Sequence, residues 1–293
     1  MSVKEYITEA ISSSSEIYGV TYNHSFTDRN GKRHENGYKP EDSDALKRLL
    51  KVLIKKRGYE GDFNDIDVSE IINMEKLFFT SFKFNGDITG WDTSRVTSMG
   101  WMFRGVTSFN QPIGKWDTSR VEDMRSMFEG AISFNQPIGD WDTSEVGDMT
   151  SMFDDARSFN QPIGKWNVSN VTNASYMFRK ATSFNQDLSK WDTSGMYIMA
   201  GMFKDATSFN QPIGKWNTSK AEDMSHMFDD ARSFNQPLGG WNTSKVKDMK
   251  YMFQGATSFN QDISTWVLTK VRDTNHMFDD CPIKDEYKPT DLK

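Results

Sequence analysis

Three acidic pairs, Asp154-Asp155, Asp229-Asp230 and Asp279-Asp280, each follow a Met-Phe dipeptide. Clustered carboxylate oxygens are what calcium takes as ligands. The same places in other copies hold Arg104-Gly105, Arg179-Lys180 and Lys204-Asp205, so acid does not recur in adjacent copies. Neither an EF-hand loop nor the calcium-binding nonapeptide occurs, and the pairs read as solvated surface charge. Among the four histidines, His24, His34, His226 and His276, the last two share a position in the repeat but lie two copies apart. At a strand spacing of about 4.8 Å that separation is roughly 10 Å, too far for one metal ion. Cys281 is the single cysteine, which excludes an intramolecular disulfide framework and a thiolate cluster. Its column otherwise holds Ala or Val, so it reads as a small buried filler.

Three surface features bear on binding. A column of Arg95, Arg120, Lys220, Lys245 and Lys270, interrupted by Glu145, Asn170 and Gly195, suits an acidic partner or a plain solvated edge. Tyr197 and Ile198 stand where most other copies are polar or Gly. With Tyr176 and Trp101 they form a candidate apolar partner spot. Thr93, Thr118, Thr143, Thr193, Thr218 and Thr243 form a regular hydroxyl row, which an ice-binding surface would use and which local backbone bonding also explains. No phosphate loop, nucleophile elbow, metal-ligand spacing or catalytic carboxylate pair is found. The expectation is a non-enzyme without cofactor or metal.

The elements that would position these residues come from a repeat. Tryptophan recurs every 25 residues, at Trp91, Trp116, Trp141, Trp166, Trp191, Trp216, Trp241 and Trp266, with no insertion. A fixed period of this size marks a solenoid, whose units bury their apolar faces only against neighbours. In the unit after Trp116, the spacing of Val121, Met124, Met127, Phe128 and Ala131 predicts a short amphipathic helix. Ser119 and its equivalents stand ahead as caps. Phe109, Ile113 and Trp116 form the extended half, with a strand expected near Ile113–Trp116 after Pro112. Asparagine recurs at Asn85, Asn110, Asn135, Asn160, Asn185, Asn210, Asn235 and Asn260. An amide kept in every copy predicts an inward ladder bonding its own turn and the next coil.

Residues 1–60 read as an N-terminal segment with a capping helix at about 40–58. Pro40 stands at the start, acidic residues fill the first turn, Leu46, Leu49, Leu50, Leu53 and Ile54 make one face, and Gly58 stops it. Before the helix, Ser12–Ser15 and Asp28–Gly37 read as loops and Tyr18–Tyr22 as a strand. Eight to nine units fill 61–281, the first degenerate with Ile66 in the Trp place, and 282–293 is a polar tail. A net charge of -6 argues against a nucleic-acid partner. No transmembrane stretch is present, and Met1–Ala10 lacks the apolar core of a signal peptide. The chain is expected to be complete as written and cytoplasmic.

The string FNQ(P/D)I-x-x-W(D/N)TS-x-V-x-(D)M-x-x-MF-x-x-A, over roughly residues 60–281, resembles the BspA-type leucine-rich repeat surface proteins of mycoplasmas and some gut and oral bacteria. The resemblance implies an α/β repeat solenoid, a right-handed leucine-rich-repeat-like coil with short parallel strands on one face and short helices on the other. It also implies adhesion or protein recognition, often at a cell surface or in secreted form, by the side wall. The partner is then a protein. The ice-binding solenoid that uses the threonine row is the alternative.

Overall fold

A computed structural model describes residues 18–292. The loop expected at Ser12–Ser15 lies outside them. Strands β1 (Val20–Thr27) and β2 (Arg33–Pro40) pair antiparallel, with Val20 opposite Pro40 and Thr27 opposite Arg33. The loop expected over Asp28–Gly37 shrinks to the hairpin turn. The Asp28 carboxylate accepts the Lys32 amide at 2.9 Å and lies 2.9 Å from the ring of His34, which ties the turn shut. Helix α1 (Ser43–Arg57) starts later than expected, because Pro40 is the last residue of β2 and Asp42 is the cap, accepting from the Ala45 amide at 2.7 Å. Its buried face is Ala45, Leu46, Leu49, Leu50 and Leu53, and Gly58 (φ 79°) closes it on the Ile54 carbonyl.

β2 hands over to the repeats through a parallel bridge between Tyr38 and Ile66. From there the 25-residue units lie one on the next. Bridges join Asn73, Ser98, Asp123, Asp148, Asn173, Ile198, Asp223, Asp248 and Asp273 in sequence, all parallel. The extended contact is thus a single residue wide and sits just before the Met column, not at Ile113–Trp116. There the Trp116 amide turns back to the Ile113 carbonyl at 3.1 Å, and Pro112 has no amide to offer a ladder.

The short helix expected in each unit is not formed. Met124, Ser126, Phe128 and Gly130 donate their amides to Asp148, Thr150, Met152 and Asp154 of the next coil, at 2.7–3.2 Å. The amides between them, of Met127, Glu129 and Ala131, return three residues to Met124, Ser126 and Phe128. This is a run of linked turns. Ser126 (φ 52°) and Gly130 (φ 69°) are left-handed, as are their equivalents along the stack, and a helix cannot run through such residues. The i, i+3, i+7 apolar stripe is satisfied all the same, because turns of three also bring Met124, Met127, Phe128 and Ala131 inward.

The core runs the length of the stack. Trp91 to Trp116 and Trp141 to Trp166 stack at 6.3 and 6.5 Å, nearly parallel, and Phe128 lies 3.9 Å from Phe134. Each indole also donates Nε1–H to the preceding coil, as from Trp116 to the Ile88 carbonyl at 3.2 Å. Asparagine forms the inter-coil ladder: Asn110 Oδ1 accepts the Asn135 amide, and Asn135 Oδ1 the Asn160 amide, both at 3.0 Å. The Asn side chains are half-buried to exposed, so the ladder runs along a corner and not through the centre.

The serines read as caps belong to Asx turns. Asp117 Oδ1 accepts both the amide and the hydroxyl of Ser119, at 3.1 and 2.6 Å. These two bonds hold the Asp117 carboxyl below its ordinary pKa of 3.8. Bonds from Ser189 and Ser194 do the same for Asp187 and Asp192. An acid whose folded pKa is depressed adds stability above its unfolded pKa and loses it as pH falls through the folded value. Urea unfolding midpoints are therefore expected to hold above about pH 5 and to fall progressively below about pH 4. A midpoint unchanged at pH 3 would show that the Asx turns contribute nothing.

Candidate recognition surfaces

The basic and aromatic candidates fall into separate places. Arg95 forms an ion pair with Glu70 of the preceding coil. Lys220 stands over the Tyr197 ring, 5.6 Å from its centre. Arg120, Lys245 and Lys270 are exposed. Beside the last two, Lys247 bonds Glu222 at 2.5 Å and is the first cause of that carboxyl's lowered pKa, with Lys245 and Lys270 adding to it. The basic column is thus partly spent on acids of the same surface.

Tyr197 and Ile198 are exposed apolar side chains, at 43% and 37%. Their backbone is fixed, since both amides reach the Thr172 carbonyl and Tyr197 accepts the Glu222 amide. Tyr176 is engaged elsewhere. Its ring occupies the space where a Cβ on Gly201 would stand, 2.3 Å away, and Arg179 covers it at 5.3 Å. Trp101 is flanked by Lys76 at 4.7 Å and Arg125 at 5.0 Å, so cations cover its ring. Tyr197, Ile198 and Lys220 form one spot. Tyr176 and Trp101 do not join it through any described ring contact.

The threonine row lies inside. Thr93, Thr118, Thr143, Thr193, Thr218 and Thr243 are at most 2% exposed, and each hydroxyl donates to a carbonyl of the next coil, as Thr118 does to Asp142 at 2.8 Å. A surface that meets ice must face water, so this row offers no such surface.

The first acid of two of the pairs is taken by a cation of a neighbouring coil, while Asp155, Asp230 and Asp279 pair within their own coils. Asp154, 2% exposed, takes Arg179 at 2.7 Å, and the equally buried Asp229 takes Lys204. Glu129 takes Arg104 at 2.9 Å in the same column. Burial pushes the Asp154 carboxyl up, against the bond and charge of Arg179. His226 and His276 sandwich Tyr251, at ring distances of 4.7 and 4.9 Å, and each bonds its own aspartate, Asp229 or Asp279. Among the described residues no three His, Cys, Asp or Glu side chains are placed to hold a metal ion. Cys281 is half-buried, its thiol pushed up to about 11 by burial, which leaves it a poor nucleophile.

Sequence reasoning missed a concave feature that spans several coils. Two shallow grooves of about 630 and 760 Å³ run along the proline side of the stack and share Lys190. They are lined mostly by proline and glycine, from Pro112 and Gly114 to Pro237 and Gly239, with Asp187 and Ser189 in those places where the two meet, and they carry Lys115, Lys165, Lys190 and Lys215 alongside Asp140 and Asp262. The signal was the recurring Pro-(Ile/Leu)-Gly string, followed by Lys in three of its five occurrences, which reads as a strand entry unless the coils are seen stacked.

The family described as "Mycoplasma protein of unknown function, DUF285" covers residues 48–158, 113–206 and 188–288 in overlapping segments. No curated protein matches. Among the described residues no helix is long and apolar enough to cross a membrane.

Proposed function

The chain belongs to that repeat family, and from this premise we propose that it is a non-enzymatic protein-recognition or adhesion module, a leucine-rich-repeat-like solenoid of the BspA type that binds partners along its side wall. The observation that carries this reading is the pair of proline–glycine grooves that meet at Lys190, with their lysine rim. Proline and glycine have no rotamer-rich side chains to immobilise when a partner lies on them, so binding there costs little side-chain ordering. The polar ladders of Asn and Thr are used up between coils, which leaves discrimination to the residues that change from coil to coil. Tyr197 and Ile198, beside Lys220, are a second such place.

The test is capture of proteins from host-cell surfaces and from lysate, by the parent chain and by two variants. One variant reverses the groove rim (Lys165→Glu, Lys190→Glu, Lys215→Glu), and the other is Tyr197→Ser with Ile198→Ser. The altered side chains are exposed, so folding should survive, as a circular dichroism spectrum checks. A partner read by the side wall should be captured about tenfold less by at least one variant, a step of about 1.4 kcal/mol. Equal capture by all three proteins would refute recognition by these two surfaces.

A further inference from the structure

At the other end of the molecule, away from both surfaces above, α1 and the first coil enclose a groove of about 640 Å³. Along one wall, Lys47, Lys51 and Lys55 stand at i, i+4 and i+8, one row on the helix. Lys76 faces them from the coil, and Leu50, Ile54 and Leu77 line the interior. Asp44 pairs with Lys47 at 3.8 Å and Glu75 with Lys76 at 2.7 Å. Lys51 and Lys55 are exposed and have no carboxylate partner among the described residues.

The coil that supplies Lys76 and Leu77 to this groove has a backbone that is incomplete in a definite way. In each later coil, alternate carbonyls accept amides from the coil before, as Ser98, Gly100 and Met102 accept from Met74, Lys76 and Phe78. The first coil has no repeat before it. The equivalent carbonyls are those of Asn73, Glu75, Leu77 and Phe79. The Ser43 hydroxyl serves Asn73. Those of Glu75, Leu77 and Phe79 receive no hydrogen bond from a described residue, and Ile72, Phe79 and Phe82 are exposed on the same coil. Open acceptors at every second residue are a template for an added polypeptide segment.

We infer that this groove binds an acidic polypeptide segment that lies along the first coil. Alternate amides of the segment donate to the Glu75, Leu77 and Phe79 carbonyls, its carboxylates meet Lys51, Lys55 and Lys76, and its apolar residues rest on Leu50, Ile54 and Leu77. The open carbonyls select a peptide over a phosphate polyanion, because phosphate oxygens are acceptors and can give a carbonyl nothing. The site is independent of the side-wall reading.

The probe is a fluorescein-labelled peptide of alternating Glu and Val, titrated by anisotropy against the full chain. Saturable binding that weakens with added salt is expected. Lys51→Glu with Lys55→Glu should weaken it at least tenfold. Lys51→Gln with Lys55→Gln should weaken it less, and Lys165→Glu with Lys190→Glu in the side wall should leave it unchanged. N-methylating alternate residues of the peptide removes the donors of one edge without changing its charge. One of the two phases of methylation should abolish most of the binding while the other preserves it. Equal binding of both methylated phases, equal binding of an oligodeoxythymidine of the same charge, or indifference to the Lys51/Lys55 reversal would each overturn the proposal.

Discussion

Trp166→Ala is expected to lower stability by about 3–5 kcal/mol and to divide the unfolding of the stack in two. The indole is 3% exposed. It stacks on Trp141 at 6.5 Å and meets Phe153 at 6.1 Å, and its Nε1–H reaches the Ile138 carbonyl at 3.0 Å. Alanine removes all three contacts and leaves a cavity that fixed neighbours above and below cannot collapse into. It also removes one of the two hydrogen bonds on the Ile138 carbonyl, which keeps that of the Trp141 amide at 3.2 Å. Each coil of a stacked array is stabilised by its two neighbours alone, so one weakened unit uncouples the coils on either side. Urea unfolding followed by tryptophan fluorescence should change from one transition to two, and limited proteolysis should cut near the substituted coil. The same change at Trp266, in the last coil but for the tail, should leave the preceding coils cooperative. A single transition with an unmoved midpoint for Trp166→Ala would show that the indole column does not couple the coils.

Side-chain periodicity was legible in the sequence, and backbone conformation was much less so. The tryptophan column, the asparagine ladder and the buried face of α1 follow from which residue types recur, and burial acts on residue types. The linked turns do not follow, because Met124, Met127, Phe128 and Ala131 keep the same apolar spacing in a helix as in successive turns of three. One signal did separate the two. The column of Gly105, Gly130, Asp155, Lys180, Asp205, Asp230, Gly255 and Asp280 is rich in glycine and aspartate, which the left-handed region favours, and all eight have positive φ. A second left-handed column, with Trp101, Ser126, Tyr176 and His226, carries no such signature. The candidate surfaces were less legible still. Arg95 and Lys220 looked like members of one basic row, yet one is tied to Glu70 and the other covers Tyr197. The proline groove and the lysine groove are made by residues of several coils, or of a helix and a coil, and sequence spacing alone does not join them.

The close approach of coils along that proline groove has a rule, and breaking it should be costly. A Cβ on Gly139 would stand 2.3 Å from the Pro162 carbonyl oxygen of the next coil, and Gly114, Gly164 and Gly214 are as tightly placed. The obstacle is backbone, so Gly139→Ser must push two coils apart. A loss of about 1–3 kcal/mol is expected, the range of an overpacked core. Gly147→Ser, with nothing within 4 Å of its added Cβ, is the control and should change little. Yet Ser189 and Ser264 occupy the Gly139 column in their own coils, and Thr89 in the first full unit. In those three coils the residue two before is Asp, whereas every glycine in this column follows a Pro. The reason is local: Asp187 Oδ1 accepts the Ser189 amide at 2.8 Å and Asp87 Oδ1 the Thr89 amide at 3.0 Å, Asx turns that give a Cβ room which the proline turn denies. Pro137→Asp combined with Gly139→Ser should therefore recover most of the stability that Gly139→Ser loses. A double-mutant cycle on urea midpoints measures the coupling directly, and additive losses would show that the pairing of Asp with Ser and of Pro with Gly has no energetic basis.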